Sequence, residues 1–157
     1  QWPFKFTLSE VQCGAGIVML NKLDLFNNIR IKRAKKLIHS LKEFKELDFN
    51  AEFKGKRHVY HLLSAYFKPS KNINRDDLIN LLYKKHKIKC AIQYYPLYRY
   101  DLFKKMKIKK NKCKNTDKFY DNMISFPFHL WMTDSDFSYL IRCIKKSLIE
   151  LREKNTK

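Results

Sequence analysis

The densest group of side chains that could do chemistry lies in residues 92–100, Ile-Gln-Tyr-Tyr-Pro-Leu-Tyr-Arg-Tyr, which combine four tyrosines, an amide and a guanidinium. The amide of Gln93 both donates and accepts hydrogen bonds, and each tyrosine offers a flat ring and a hydroxyl. Such groups suit a sugar or nucleotide bound where a strand ends. They also suit stacking on single-stranded nucleic acid or the buried aromatic edge of a small core. The residues alone leave these alternatives open.

Other reactive residues indicate no metal site. His58 and His61 are three apart, which on a predicted strand places them on opposite faces, and no third ligand lies nearby. The cysteines Cys13, Cys90, Cys113 and Cys143 lack the close spacing of a zinc site. The sequence has no Walker loop or dinucleotide fingerprint, and three glycines are too few for a local phosphate cradle.

The charge is strongly positive. Lys and Arg number 34 against 15 Asp and Glu, a net charge of +19, while 45% of the residues are hydrophobic. The chain therefore builds a core and is not a disordered polyelectrolyte. This charge has three possible explanations. It could attract a polyanion, it could attract a phosphorylated small substrate, or it could reflect a general compositional bias. Scattered cysteines and the lack of a long apolar run predict a cytoplasmic protein without a membrane span.

A long helix is predicted first. Thr7 and Glu10 have the spacing of a capping box, and helical periodicity continues to about Phe44, with a bend between Asp24 and Asn28. Its predicted buried face comprises Val11, Ala15, Val18, Leu25, Ile29, Leu37, Ile38 and Leu41.

The remainder of the chain is predicted to alternate between strands and helices. Strands are predicted over residues 52–67 and 88–95, and a helix capped by Asn74 runs between them to His86. Short helices over 97–106 and 116–123 flank a lysine-rich loop at 107–114, and residues 125–128 are extended. A last helix begins at residues 133–136, and its predicted inward residues are Phe137, Leu140, Ile141, Ile144 and Leu148. The predicted fold class is α+β: a short sheet with helices packed on one face, preceded by a long helix.

Five segments are particular enough to compare with a known family. They are 4–16 (FKFTLSEVQCGAG), 57–62 (RHVYHL), 75–78 (RDDL), 88–97 (IKCAIQYYPL) and 125–133 (SFPFHLWMT). In this order they resemble motifs in the C-terminal region of DegT/DnrJ/StrS-type sugar aminotransferases. The resemblance covers about residues 2 to 150.

This resemblance implies a fold-type-I enzyme that uses pyridoxal 5'-phosphate. Residues 1–157 are then the single small C-terminal domain of a homodimeric enzyme, and the catalytic lysine belongs to a large domain that this chain lacks. The family typically moves an amino group from glutamate to the keto group of a nucleotide-linked sugar, in surface polysaccharide or lipopolysaccharide biosynthesis. The chain opens on Gln1 rather than Met, which favours a fragment, and the lack of the family's lysine motif predicts that this fragment is inactive alone.

The resemblance also implies site residues. Lys5 lies in a loop that reaches the cofactor phosphate of the partner subunit, and Gln93, Tyr94 and Tyr98 border the sugar-nucleotide pocket. No catalytic residue is expected in this chain. Gln93 stands where the family often has histidine, and Cys13 and Gly14 replace two alanines. The alternative is a basic RNA- or polyanion-binding module with a decayed aminotransferase-like fold; a nucleic-acid partner is not expected from the resemblance.

Overall fold

A computed structural model describes residues 7–70, 72–106 and 113–156. Along these residues α1 (Glu10–Asn21) and α2 (Leu23–Ser40) precede strands β1 (Leu47–Phe49) and β2 (Leu63–Phe67). Helix α3 (Arg75–His86), a 3₁₀ turn (Leu97–Arg99), α4 (Asp101–Lys105), α5 (Lys114–Asn122), strand β3 (Met123–Phe126) and α6 (Asp134–Thr156) follow. The strands form an antiparallel sheet in the order β1-β2-β3, in which Ala65 lies opposite both Phe49 and Ile124. The α+β prediction is confirmed.

One face of this sheet forms the core. Leu63, Ala65 and Phe67 alternate along β2 and are each 1% exposed, as strand periodicity requires. They share one buried cluster with apolar residues from three helices: Ala34 and Leu37 of α2, Leu78 and Leu82 of α3, and Phe137, Leu140, Ile144 and Leu148 of α6. The opposite face is here called the outer face; there, Tyr66 stacks on Phe119 of α5.

The predicted caps of two helices are confirmed. The Asn74 side chain accepts hydrogen bonds from the backbone of Asp76 and Asp77 at the start of α3. At the start of α6, the Thr133 hydroxyl accepts from the Asp136 backbone, and the Asp136 carboxylate accepts from the Thr133 N–H. All five residues predicted to face inward from α6 are buried.

The first helix differs from its prediction. Its capping box joins Ser9 to Gln12, so Thr7 and Glu10 are not the pair, because the chain enters the helix two residues later. The helix breaks at Lys22, slightly before the predicted bend. Leu37 and Leu41 are buried as predicted, but Val11, Ala15, Val18 and Leu25 are exposed. The prediction was wrong for α1 because this helix buries no residue against the described remainder of the chain.

Both predicted strands are shorter than expected. Residues 52–62 form a loop, since Gly55 and Tyr60 have φ values of 76° and 52°, and the ring of His58 accepts a hydrogen bond from the Tyr60 N–H. Strand β1 was not predicted. Of residues 88–95, only Ala91 pairs in the sheet, through a bridge to Ser125 of β3. Two residues after Ala91, the Gln93 N–H donates to the Met123 sulfur instead of to a backbone carbonyl. The β pairing with β3 therefore does not continue past Ala91.

The remaining predicted helices are present with different bounds. The predicted helix over 97–106 is divided into the 3₁₀ turn and α4, and α5 starts two residues before its predicted start. The lysine-rich loop lies mainly in residues 107–112, outside the described residues. Among the described helices, none is long and apolar enough to cross a membrane. The described His, Cys, Asp and Glu side chains form no cluster able to hold a metal ion.

The end of α3 yields a stability prediction. Lys87 caps the helix in the left-handed region, with φ 56°, which costs an L-residue about 1–2 kcal/mol and glycine almost nothing. We expect Lys87→Gly to raise the free energy of unfolding by about 0.5–1 kcal/mol, because the greater chain entropy of unfolded glycine offsets part of the gain. Urea denaturation measures this change.

The matched control is Lys84→Gly, since Lys84 is exposed in the helical part of α3. It should lower the free energy of unfolding by about 1 kcal/mol. If both substitutions destabilise the chain equally, Lys87 does not adopt the left-handed conformation.

Candidate functional site

The segment 88–96 lies along the free edge of β3. Two backbone hydrogen bonds hold it there: Ala91 N to Ser125 O at 2.9 Å and Ser125 N to Ala91 O at 2.8 Å. Directly opposed residues of antiparallel strands point to the same face. Ala91, Ser125 and Ser64 therefore share the outer face, since Ser64 lies opposite Ser125 in β2.

Gln93, one of the predicted substrate contacts, lies along this edge. Its N–H is 3.2 Å from the Met123 sulfur, and its side chain is half-buried. It helps to line a cavity of about 200 Å³, here called the edge cavity, whose lining also includes the polar residues His61, Lys89 and Ser125. The side-chain amide has no hydrogen bond to the described residues, so its donor and acceptor are available to a ligand.

Tyr94 and Tyr98 have different surroundings. The Gln93–Tyr94 peptide bond is cis, and Tyr94 is 70% exposed. Tyr98 is half-buried, and its hydroxyl donates to the Asp117 carboxylate of α5 at 3.0 Å. Tyr94 thus presents its ring to solvent, while Tyr98 is anchored to α5.

Arg99 organises the polar part of this region. Its guanidinium donates to Asp117 through Nε at 2.8 Å and to Asp121 through Nη1 at 2.6 Å, which clamps the 3₁₀ turn onto α5. It also lies 5.3 Å from the ring centroid of Tyr120. The ring of Tyr95 meets those of Tyr100 and Tyr120 edge-on. Several tyrosines of the stretch therefore build an aromatic edge, one of the alternatives left open by the sequence.

The electrostatics of this cluster follow from these bonds. The hydrogen bond from Arg99 holds the pKa of Asp121 below its usual range. Loss of solvation raises the pKa of Tyr98, and the hydrogen bond to the carboxylate of Asp117 raises it further. Tyr98 therefore stays a neutral hydrogen-bond donor well into alkaline solution.

Sequence reasoning missed two features. Ser125 was assigned only to an extended segment, but it is 4% exposed and lines the edge cavity. Arg75 was taken as the start of a helix, but its guanidinium donates to the Met123 carbonyl at 3.0 Å and ties α3 to β3. The Ser-Phe-Pro-Phe motif was the signal for the first feature. Arg75 belongs to the Arg-Asp-Asp-Leu motif, but its contact with β3 is long-range and no local pattern indicates it.

The described residues do not form a complete pyridoxal-phosphate site. A cofactor lysine needs a sheltered amine, but the described lysines are exposed, except for half-exposed Lys145, which pairs with Glu43 at 2.9 Å. Lys5, the predicted phosphate contact, lies outside the described residues.

Solved aminotransferases share this fold. An aminotransferase from Psychrobacter cryohalolentis matches 97% of this chain and 42% of its own, with a TM-score of 0.85 and 14% identity. Helicobacter pylori PseC, an aminotransferase of pseudaminic acid biosynthesis, matches 94% of this chain and 39% of its own, with a TM-score of 0.81 and 19% identity. The chain therefore has the fold of one part of these solved structures.

Sequence relatives agree with the fold. The model of the DegT/DnrJ/EryC1/StrS aminotransferase family matches residues 2–145, and the chain belongs to this family. A UDP-4-amino-4,6-dideoxy-N-acetyl-beta-L-altrosamine transaminase of Campylobacter jejuni is 29% identical over 96% of this chain. An uncharacterised protein of Methanocaldococcus jannaschii is 26% identical over 95% of it. The chain spans 39% of the length of each of these two relatives.

The bond between Tyr98 and Asp117 can be tested by titration. Asp117→Asn keeps the side-chain shape but removes the negative charge that favours the protonated phenol, so the pKa of Tyr98 should fall towards its ordinary value of about 10. A raised pKa in the folded state stabilises the fold below the ordinary value, and this stabilisation is lost as pH rises beyond it. The variant should therefore lose less stability above pH about 10.

Carbon-13 NMR of labelled tyrosine rings measures this pKa, and Tyr98→Phe assigns the signal. Asp101→Asn is the control, because Asp101 pairs with Lys104 at 2.8 Å. An unchanged Tyr98 titration in Asp117→Asn would show that the bond does not form in solution.

Proposed function

We propose that this chain is the C-terminal part of a pyridoxal-phosphate-dependent sugar aminotransferase. The enzyme transfers an amino group from glutamate to a keto-sugar linked to a nucleotide, in cytoplasmic steps of surface polysaccharide or lipopolysaccharide biosynthesis. The match of the aminotransferase family over residues 2–145 carries this proposal. The Campylobacter jejuni relative, named as a transaminase of a UDP-linked sugar, supports the substrate class.

The exposed apolar surface of α1 supports a larger assembly. A group of apolar residues along α1 and its two flanks is about half exposed or more. The surface of a soluble monomer seldom groups so many exposed apolar residues. They are Leu8, Val11, Ile17, Val18, Met19, Leu20, Leu23 and Leu25. We assign this surface to contact with the large domain and the partner subunit of a homodimeric enzyme, because the relatives are more than twice as long as this chain.

We assign cofactor binding partly to this chain and partly to the large domain. Pyridoxal 5'-phosphate supplies the electron sink of transamination, and the protein places it. The described lysines are exposed or paired, so we assign the catalytic lysine to the large domain. Lys5 contributes a positive charge to the cofactor phosphate of the partner subunit.

Removal of that charge tests the role of Lys5. In the full-length enzyme, Lys5→Ala should weaken cofactor binding by about 1.5–3 kcal/mol, the size of a hydrogen bond to a charged group. Absorbance titration of the enzyme with cofactor measures this affinity. Lys146→Ala, at an exposed lysine of α6, is the control. Equal cofactor affinities in the two variants would mean that Lys5 is only a solvated lysine.

The substrate contacts are assigned to Gln93, Tyr94 and Tyr98. Gln93 has an amide without a described hydrogen-bond partner, and Tyr94 offers an exposed ring for a sugar or base. The Tyr98 hydroxyl donates to Asp117, which limits what it can donate to a substrate. Gln93 is therefore expected to contribute most of the polar recognition.

Steady-state kinetics of the full-length enzyme tests this assignment. Gln93→Ala should raise KM for the nucleotide sugar by about 2- to 12-fold, the effect of one neutral hydrogen bond, and leave KM for glutamate unchanged. Tyr98→Phe should have a smaller effect, and Tyr83→Phe, at an exposed tyrosine of α3, should have none. A lower melting temperature with unaltered kinetics would make Gln93 and Tyr98 structural residues.

A further inference from the structure

The outer face of the sheet carries another cavity, here called the outer-face cavity. It lies between helix α5 and the stretch formed by β1 and the two residues after it. Its volume is about 510 Å³, inside the range of about 300–1,000 Å³ that small-molecule sites occupy, and it is open to solvent because most of its lining residues are exposed. The lining includes the aromatic residues Tyr66 and Phe119 and the polar residues Asp48, Asn50, Asn115 and Lys118.

Helix α5 separates this cavity from the candidate functional site. Asp117 and Asp121 lie one turn apart on the face of α5 to which the 3₁₀ turn is clamped. Asn115, Lys118 and Phe119 are spaced by three and four residues, and at 3.6 residues per turn their face is centred about 130° away around the helix. The outer-face cavity therefore shares no residue with the predicted substrate contacts.

The cavity has an aromatic wall. The rings of Tyr66 and Phe119 are nearly parallel, with their centroids 6.4 Å apart and their planes inclined by 23°. Tyr66 is half-buried and Phe119 is 38% exposed, so the pair fixes a ring surface that solvent still reaches. Such a surface packs against ligands that have a flat apolar face, which include sugar rings and planar bases.

Polar groups surround these rings. Asp48 lies directly opposite Tyr66 in the sheet register, so both side chains project from the outer face. The side-chain amides of Asn50 and Asn115 have no hydrogen-bond partner among the described residues, and an amide both donates and accepts. A hydroxyl group also donates and accepts. The cavity therefore offers complementary partners to a ligand that carries several hydroxyl groups.

The charge of the cavity does not favour an anion. The Asp48 carboxylate pairs with Lys68 at 3.5 Å, which leaves the exposed Lys118 as the cation of the described lining. A single exposed lysine contributes little to binding in salt, whereas nucleic acids are held by several cations at once. On a chain of net charge +19, this cavity thus suits a neutral ligand.

We propose that the outer-face cavity binds a neutral saccharide. One face of a sugar ring packs on Phe119, and the hydroxyl groups bond the amides of Asn50 and Asn115 and the carboxylate of Asp48. The site goes beyond the proposed function, because it needs no cofactor and lies away from the segment that carries the substrate contacts.

Titration of this chain with sugars at about 0.15 M NaCl tests the site, because salt at this concentration screens exposed charges beyond about 8 Å. The probes are glucose, galactose, mannose and N-acetylglucosamine, with glucose 6-phosphate and uridine for comparison. Saturable NMR shifts are expected with at least one neutral sugar, at residues 48–51, 66 and 115–119. The absence of saturation with all four sugars would overturn the proposal. Tighter binding of uridine would instead make the site one for a planar base, and glucose 6-phosphate binding tenfold more tightly than glucose would make it an anion site.

Two variants make the test specific. Phe119→Ala removes the ring and should weaken binding of the tightest sugar by about fivefold or more. Asn115→Ala should weaken it about 2- to 12-fold, the effect of one neutral hydrogen bond, and should not lower the melting temperature, because Asn115 is exposed and alanine favours a helix. The second variant keeps the test valid if the first loosens α5.

The matched controls are Trp131→Ala, at a residue that is 82% exposed, and Asn80→Ala, at an exposed residue of α3. Neither residue lines the outer-face cavity, so neither substitution should alter sugar binding. Equal losses in the controls would mean general adhesion of sugar to exposed side chains and would overturn the proposal.

The full-length enzyme separates this site from the proposed function. There, Asn115→Ala should leave the kcat and KM of amination unchanged while it weakens binding of the neutral sugar. A higher KM for the nucleotide sugar would make the cavity part of the substrate site, and loss of sugar binding in the full-length enzyme would show that the large domain covers it. Either result would overturn the proposal. An enzyme without aminotransferase activity that still binds the sugar at this cavity would refute the proposed function alone.

Discussion

The stability of the fold and the position of the candidate site both depend on the burial of one face of β2 against three helices. Leu63, Ala65 and Phe67 are almost completely removed from solvent by residues of α2, α3 and α6. Full burial of a large apolar side chain stabilises a fold by about 1.5–3 kcal/mol, so these contacts are the main source of stability. Since α3 and α6 pack on each other and on this face, they fix the position of β3 and hence of its free edge.

The candidate site depends on that edge. Ala91 reaches β3 through two backbone hydrogen bonds, and this places Gln93 and Lys89 around Ser125. A second restraint acts from the other side, where Arg99 holds the following turn to Asp117 and Asp121 of α5. The segment between these two anchors carries Tyr94. The core thus supplies rigidity, and a short polar segment displays the side chains available for binding.

The helix caps and the last helix could be predicted from sequence because their determinants are local. Asn74 and Thr133 bond to residues two or three positions away, and the apolar spacing of α6 is complete within the helix. The strands were predicted less well. Residues 52–62 are rich in strand-forming types, but the Tyr60 hydroxyl bonds Glu52 and the Tyr60 backbone bonds His58, so local contacts produce a loop. β1, with three residues, is too short for a periodic signal.

The amino-acid sequence by itself determined the class of fold, the family and the stretch that carries Gln93, Tyr94 and Tyr98, because motif order and helical periodicity are properties of the linear chain. Tertiary structure alone decided which of these side chains are available. It anchored Tyr98 to Asp117, exposed Tyr94, and brought Lys89, Gln93 and Ser125 to one cavity from positions up to 36 residues apart. Among the described residues it also left α1 exposed, although its apolar residues have the composition of a buried helix. Burial depends on which surfaces meet in space, and spacing along a sequence does not specify that.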